Sequence, residues 1–269
     1  MIRARAETVG SLLRPPWLLK ARQEMAAGVL TPSDFKAGED RAVDEAVSLQ
    51  EAAGFEVITD GEMRRQSFQS QMTEAVHGFG EPTTAAFLWG SWHGDDEVGD
   101  CTLPRPASLG VVDKLRRRRH LSAEEFTYLR GRTHKTAKVT LPSPSLFANF
   151  WSPGRSTAAY STFDLFLADV VEILRDEVAE LVRLGASYIQ IDAPHYALLL
   201  DPQTRSFYEA RGWSLDRWLS EGIEMDNAVM GNFSEVSKRW ALTFWKIWRA
   251  ILSYPPRTSH RLPWLPRQR

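Results

Sequence analysis

The 269-residue sequence predicts an α/β fold of consecutive βα units, with a parallel sheet covered by helices, as in a TIM-type (β/α)8 barrel. Two observations predict it. An amphipathic helical run stopped by a glycine feeds a short apolar run that ends on a carboxylate, and this grammar occurs twice. The helix-to-strand links are short and the strands read as apolar throughout, the pattern of strands covered on both faces.

Taken in chain order, residues 7–10 are the first strand candidate. AVDEAVSLQEAAG then places Val43, Ala46, Val47 and Ala53 on one helical stripe, Gly54 stops the helix, and FEVIT runs to Asp60 and Glu62. Further strands are expected at 85–89 or 108–112 and at 137–141, with a helix at about 123–129 in the connection. A second long helix, from about Ser161, carries Phe163, Phe166, Val170, Leu174, Val178 and Leu181 on one face. It stops at Gly185 and feeds SYIQI, which ends at Asp192, and a last helix is expected over 215–228. That makes about five βα units, a barrel left incomplete. In such barrels reactive groups gather at the C-terminal ends of strands, where Ser11, Glu62 and Asp192 would all lie. An acid in that position also serves as a helix N-cap, and both readings stand at this point.

Composition narrows the function. Hydrophobic residues make up 43% of the chain, enough for a substantial core. No apolar stretch approaches the length of a membrane span and the N-terminal residues do not read as a signal peptide, so a cytoplasmic protein is expected. The single cysteine, Cys101, excludes an internal disulfide and any multi-cysteine metal site from this chain alone. Residues 237–269 hold eight Lys or Arg and no acid, whereas the first 236 residues hold 25 basic against 34 acidic side chains. An acidic body gives no support to nucleic-acid binding. The shift marks a boundary: 1–236 as a partial barrel, and 237–269 as a basic, Trp-, Arg- and Pro-rich tail.

TVGSLLRP (8–15), ITDGEMRRQSF (58–68), KVTLPSPS (138–145) and IQIDAP (189–194) resemble, in order and spacing, the C-terminal catalytic barrel of cobalamin-independent methionine synthases. The likeness extends to short bacterial proteins of the 5-methyltetrahydropteroyltriglutamate–homocysteine methyltransferase type and runs from about Ala6 to Val236. It implies the barrel fold and methyl transfer from 5-methyltetrahydrofolate, usually polyglutamylated, to the thiol of homocysteine, with zinc activating the thiol. It also implies that the backbone of Val9 and the hydroxyl of Ser11 grip the amino-acid carboxylate, and that Glu62 and Asp192 hold its ammonium group. Arg105, in CTLPRPA, would meet folate carboxylates, and Trp151 would stack on a pterin. His195 would face the same cavity. Read without the family, Ser11 is a turn hydroxyl, Glu62 a solvated acid pairing with Arg64 or Arg65, His195 a satisfied loop histidine, Trp151 a core residue, and the LRRRRH run (115–120) a solvated face; with the resemblance, that run would attract the folate's polyglutamate tail.

The sequence departs from the family at its end. A His-x-Cys motif, a glutamate and a second cysteine build the family's zinc site, and no cysteine follows Val236, so no metal ligands are assigned. Three readings of the tail stay open: an interrupted coding region, an amphipathic helix from about 237 to 252 that docks on the open barrel or a partner, and a membrane-surface helix. An open sheet edge would also invite self-association. Two further functions are kept beside the first: zinc-dependent alkyl transfer to another small thiol, as in coenzyme M transferases, and non-catalytic amino-acid or folate binding.

Overall fold

The computed structural model describes residues 6–66, 70–80, 91–93, 100–102, 110–151, 153–200, 202–210, 212–231, 233 and 237–241. Its helices are α1 (Pro16–Ala26), α2 (Pro32–Ala52), α3 (Ser70–Ala75), α4 (Ala123–Arg130), α5 (Pro153–Ser156), α6 (Phe163–Arg183), α7 (His195–Leu198), α8 (Pro202–Glu209), α9 (Leu215–Arg217) and α10 (Ile223–Met230). Its strands are β1 (Val57–Ile58), β2 (Val76–Gly80), β3 (Ser91–His93), β4 (Asp100–Thr102), β5 (Gly110–Arg117), β6 (Thr136–Pro142), β7 (Tyr188–Asp192) and β8 (Ser237–Ala241). The main sheet is parallel, in the order β1-β6-β7-β8. Among the described residues it does not close, and what they form is part of a TIM-type barrel.

The two helix–glycine–strand units form as their local chemistry dictates. Thr31 caps α2 by accepting from the Asp34 amide at 3.1 Å, and Thr162 caps α6 by accepting from the Leu165 amide at 3.3 Å. Each helix is followed by a glycine in the left-handed region, Gly54 at φ 81° and Gly185 at φ 92°, which turns the chain into its strand. The stripe of Phe166, Val170, Leu174, Val178 and Leu181 on α6 is buried in the core with Val139, Leu141, Ile189 and Ile191 of the sheet.

Three sequence expectations change. The strands are not apolar throughout: Lys138 and Thr140 on β6 alternate with Val139 and Leu141, and Gln190 and Asp192 on β7 alternate with Ile189 and Ile191. Successive side chains point to opposite faces, so the sheet carries an apolar face toward the helices and a buried polar face toward the barrel interior. Residues 7–10 are not a strand; they are irregular chain, with a bend at Gly10, tied to the sheet by side chains. The candidate at 108–112 belongs in part to β5, which pairs antiparallel with β2 and so adds no βα unit; the alternative at 85–89 lies outside the described residues. The helix expected over 215–228 is present and runs without a gap over 215–230, but it contains a π-helical stretch, Trp218–Gly222, where a β-carbon on Gly222 would collide with the Tyr196 hydroxyl.

The sheet also continues past Val236. Residues of β8 pair in parallel with β7 from Tyr188↔Ser237 to Asp192↔Ala241, so the helix considered from residue 237 does not begin there. The rest of the tail lies outside the described residues. Within the described residues no helix is long and apolar enough to cross a membrane.

Candidate active site

The C-terminal ends of β1, β6 and β7 bring together a group of buried charges. Asp60, Gly61 and Glu62 turn sharply after β1, with Gly61 at φ 68° and Glu62 at φ 55°. A non-glycine residue held there is strained by roughly 1–3 kcal/mol and persists only where its surroundings fix it. Here Asp60 Oδ1 accepts from the Glu62 amide at 2.9 Å, and Glu62 Oε1 accepts from Thr140 Oγ1 at 2.7 Å and from an Arg65 amino group at 3.2 Å. Glu62 and Arg65 are each 2% exposed. The pairing with Arg65 that the sequence left open is present, but it is buried rather than solvated.

Arg65 occupies a fork. It donates to Thr140 Oγ1 at 2.9 Å and to the Thr140 carbonyl at 3.1 Å, and on its other side to Glu125 at 3.0 and 3.1 Å. Burial pushes Glu125 up to about 7 against the pull of Arg65. Behind this pair, between α1, α2, α3 and α4, lies a cavity of about 340 Å³ lined by Arg22, Glu39, Arg64, Arg65 and Glu125 among others. Its charges are already matched, Arg22 with Glu39 and Arg64 with Asp40, so it reads as an ion-paired support rather than a substrate pocket.

Asp192 ends β7 on the same polar face. Thr140 and Gln190 are register partners across β6 and β7; Thr140 binds Glu62, while Gln190 Nε2 donates to Asp192 Oδ1 at 2.6 Å. The two carboxylates are thus held from neighbouring positions of one face. Asp192 is pushed up to about 7, first by burial and then by the nearby charge of Glu62, against the Gln190 hydrogen bond and the positive charges of Arg65 and Lys138.

The 9–11 segment lies directly over this pair. A β-carbon on Gly10 would stand 2.8 Å from Glu62 Oε1 and 2.9 Å from Thr140 Cγ2, so only glycine lets the main chain approach so closely. The Val9 carbonyl accepts from Gln190 Nε2 at 2.7 Å and the Gly10 carbonyl from Thr59 Oγ1 at 2.7 Å. Val9 and Ser11 themselves are exposed.

His195 is 1% exposed, and burial pushes its imidazole down to about 3, so it is neutral. Its Nε2 lies 2.8 Å from Ser145 Oγ, which lies 2.9 Å from Ser143 Oγ, which donates to Asp226 Oδ1 at 2.7 Å. This buried chain joins the loops after β6 and β7 to α10, and the Ser143 amide donates to the Asp192 carbonyl at 2.9 Å. Trp151 goes to the core instead of a ligand face: it is 5% exposed and packs against Phe163 and Phe166, because the apolar stripe of α6 covers its loop. Arg105 lies outside the described residues. Arg116 to Arg119 of the LRRRRH run make local contacts with Asp113, Asp176 and Glu74.

The sequence reading missed Thr140, Lys138, Gln190, Ser143, Ser145 and Asp226. The alternation K-V-T and Q-I-D inside apolar runs is the signal that would have found the first three.

Fold and site together define an α/β-barrel protein whose strand ends hold two buried carboxylates beneath a glycine loop. The description "Cobalamin-independent synthase, Catalytic domain" matches residues 5–237, and the chain belongs to that family. Among relatives, it is 26% identical over 209 residues to the uncharacterised protein YxjH of Bacillus subtilis, covering 77% of this chain and 52% of that protein. It is 29% identical over 188 residues to a methionine synthase of Pyrococcus abyssi, covering 69% and 50%. A solved Listeria monocytogenes structure, described as a vitamin-B12-independent methionine synthase, superposes with a TM-score of 0.65 at 18% identity, covering 89% of this chain and 65% of that one. A Shewanella B12-independent methionine synthase in complex with selenomethionine gives 0.57 at 19%, covering 87% and 60%. The chain spans about half the length of the curated relatives it matches.

Proposed function

We propose that this chain carries the amino-acid clamp of a methyltransferase: Glu62 and Asp192 hold the ammonium group of homocysteine, and the Val9–Ser11 segment meets its carboxylate. One observation carries the reading. Two buried carboxylates share one sheet face beneath a loop that only a glycine allows to come so near. Two acids confined together are held apart in charge by Arg65 and Lys138, and an arriving ammonium adds the positive charge that ionises Asp192 fully. The solved relative holding selenomethionine, an amino acid, supports the assignment.

The family reaction would pass a methyl group from N5 of 5-methyltetrahydrofolate, in its polyglutamate form, to the thiol, giving methionine. Zinc, when bound, would supply the thiolate. The described residues do not suit it. None of them form a group of three or more His, Cys, Asp or Glu able to hold a metal. Glu62 already binds Arg65, His195 Nε2 is engaged by Ser145, and both carboxylates lie beside fixed cations. The proposal is therefore an amino-acid-binding barrel with little or no methyl transfer of its own.

Calorimetry tests it. Homocysteine and methionine are expected to bind, simple thiols lacking the ammonium are not, and Asp192→Ala should abolish the heat. A zinc-to-protein ratio near one together with methionine formation would overturn the inactivity; binding unchanged in Asp192→Ala would overturn the clamp.

A further inference from the structure

Lys138 and Gln190 are both buried at the floor of the site, and neither touches the substrate in the clamp reading. The Lys138 ammonium donates to Gln190 Oε1 at 3.1 Å and to the Thr8 carbonyl, and lies 3.8 Å from Glu7, which in turn accepts from the Tyr188 hydroxyl at 2.8 Å. Gln190 Nε2 then serves two acceptors, the Val9 carbonyl at 2.7 Å and Asp192 Oδ1 at 2.6 Å.

The chemistry of the amide makes this arrangement one-way. A glutamine offers one acceptor oxygen and two donor hydrogens, whereas an ammonium only donates. With Lys138 on Oε1, both amide hydrogens must face Val9 and Asp192. The flipped amide would set its oxygen against a carbonyl and a carboxylate, and its hydrogens against an ammonium.

We propose that Lys138 and Gln190 are positioning residues that lock the Val9–Ser11 loop to Asp192, so that the grips for the two ends of the amino acid sit at one fixed separation. The inference rests on the clamp reading above and deepens it to a substrate class. A single nitrogen joining loop and carboxylate selects α-amino acids over homologues whose ammonium and carboxylate stand one carbon further apart.

Asp192 is faced by Glu62 and Arg65 from the β1 turn, by Lys138 from β6 and by Gln190 on its own strand. Its titration therefore reports the lock directly, without ligand. In the full chain carrying ¹³C-labelled aspartate, the NMR midpoint of Asp192 is expected to move up in Gln190→Met, which removes the donor and changes no charge, and in Lys138→Met, which frees the amide to flip and also removes a positive charge facing Asp192; the lock is read from the Gln190→Met shift and from a Lys138→Met shift that shrinks when Gln190→Met is already present. Lys138→Arg keeps a donor on Oε1 and should restore the parent midpoint. In Gln190→Met the preference for homocysteine over its β-amino homologue should fall about tenfold, the equivalent of one hydrogen bond to a charged group.

Midpoints equal to the parent in folded Gln190→Met and Lys138→Met would overturn the proposal. Should either variant fail to fold, Gln190→Leu removes the donor to Asp192 without adding a charge, and an unmoved midpoint there would overturn it equally. Absence of homocysteine binding by the parent chain would sink the clamp reading and the substrate class with it, while the titration still decides whether the lock exists.

Discussion

Gly10 and Glu62 are packed so closely that a β-carbon on residue 10 would lie 2.8 Å from the Glu62 carboxylate. That contact gives the first prediction. Gly10→Ala must push either the loop or the carboxylate aside, and Thr140 blocks the other direction at 2.9 Å. Overpacking of this kind costs about 1–3 kcal/mol. We expect homocysteine affinity to fall at least about tenfold with a modest loss of stability, measured by calorimetry and by urea unfolding of the same preparation.

Arg65 supports Glu62 and Glu125 at once. Arg65→Met would leave two buried carboxylates without their cation, and removal of one partner of a buried pair costs about 3–5 kcal/mol. The loss should be smallest at low pH, where the stranded acids take up protons. Arg65→Lys should recover only part, since one ammonium cannot reproduce the fork to Thr140 on one side and Glu125 on the other. Unfolding curves at pH 5 and pH 8 check both statements.

What the sequence made legible was local. Helix stripes ending at Gly54 and Gly185, each followed by a strand and an acid, need only short-range propensity, and they stand as read. What it hid depends on distant partners. Ser237–Ala241 is basic and carries a tryptophan, and it becomes a strand because β7 offers a parallel edge. The pairing of β5 with β2 is likewise non-local, and Trp151 looks the same in a core as in a pocket until α6 covers it. At the site, Glu62 and Asp192 were visible as strand-end acids. Arg65 was named as a partner of Glu62 but as a solvated one, and Thr140 and Gln190 were passed over: their alternation with apolar neighbours marks a polar face, but the groups they meet on it come from distant parts of the chain.

Asp192 makes binding pH-dependent. Burial and Glu62 raise it to about 7, so the empty site is largely protonated below that pH and must ionise to hold an ammonium. Apparent affinity for homocysteine should weaken about tenfold per pH unit below 7 and level off above it. Asp192→Asn should bind weakly with no such slope. Titrations between pH 5 and pH 8 distinguish these outcomes.

Asp226 sets the pH response of the fold itself. It is fully buried at the end of the Ser143–Ser145–His195 chain, and burial raises it from 3.8 to about 8 against the Ser143 hydrogen bond. An acid raised on folding binds more protons in the folded state than in the unfolded state between those two values. Stability therefore falls as pH rises through that window and is lowest above about 8. The cost at high pH is on the order of a few kcal/mol, because each tenfold change in proton affinity is worth about 1.4 kcal/mol. Asp226→Asn keeps an oxygen for the Ser143 hydroxyl and cannot ionise, so it should match the parent near pH 4 and exceed it above pH 8 by several degrees in thermal midpoint. Melting curves across pH 4–9 measure the difference, and parallel curves for the two chains would show that Asp226 does not titrate in the folded protein.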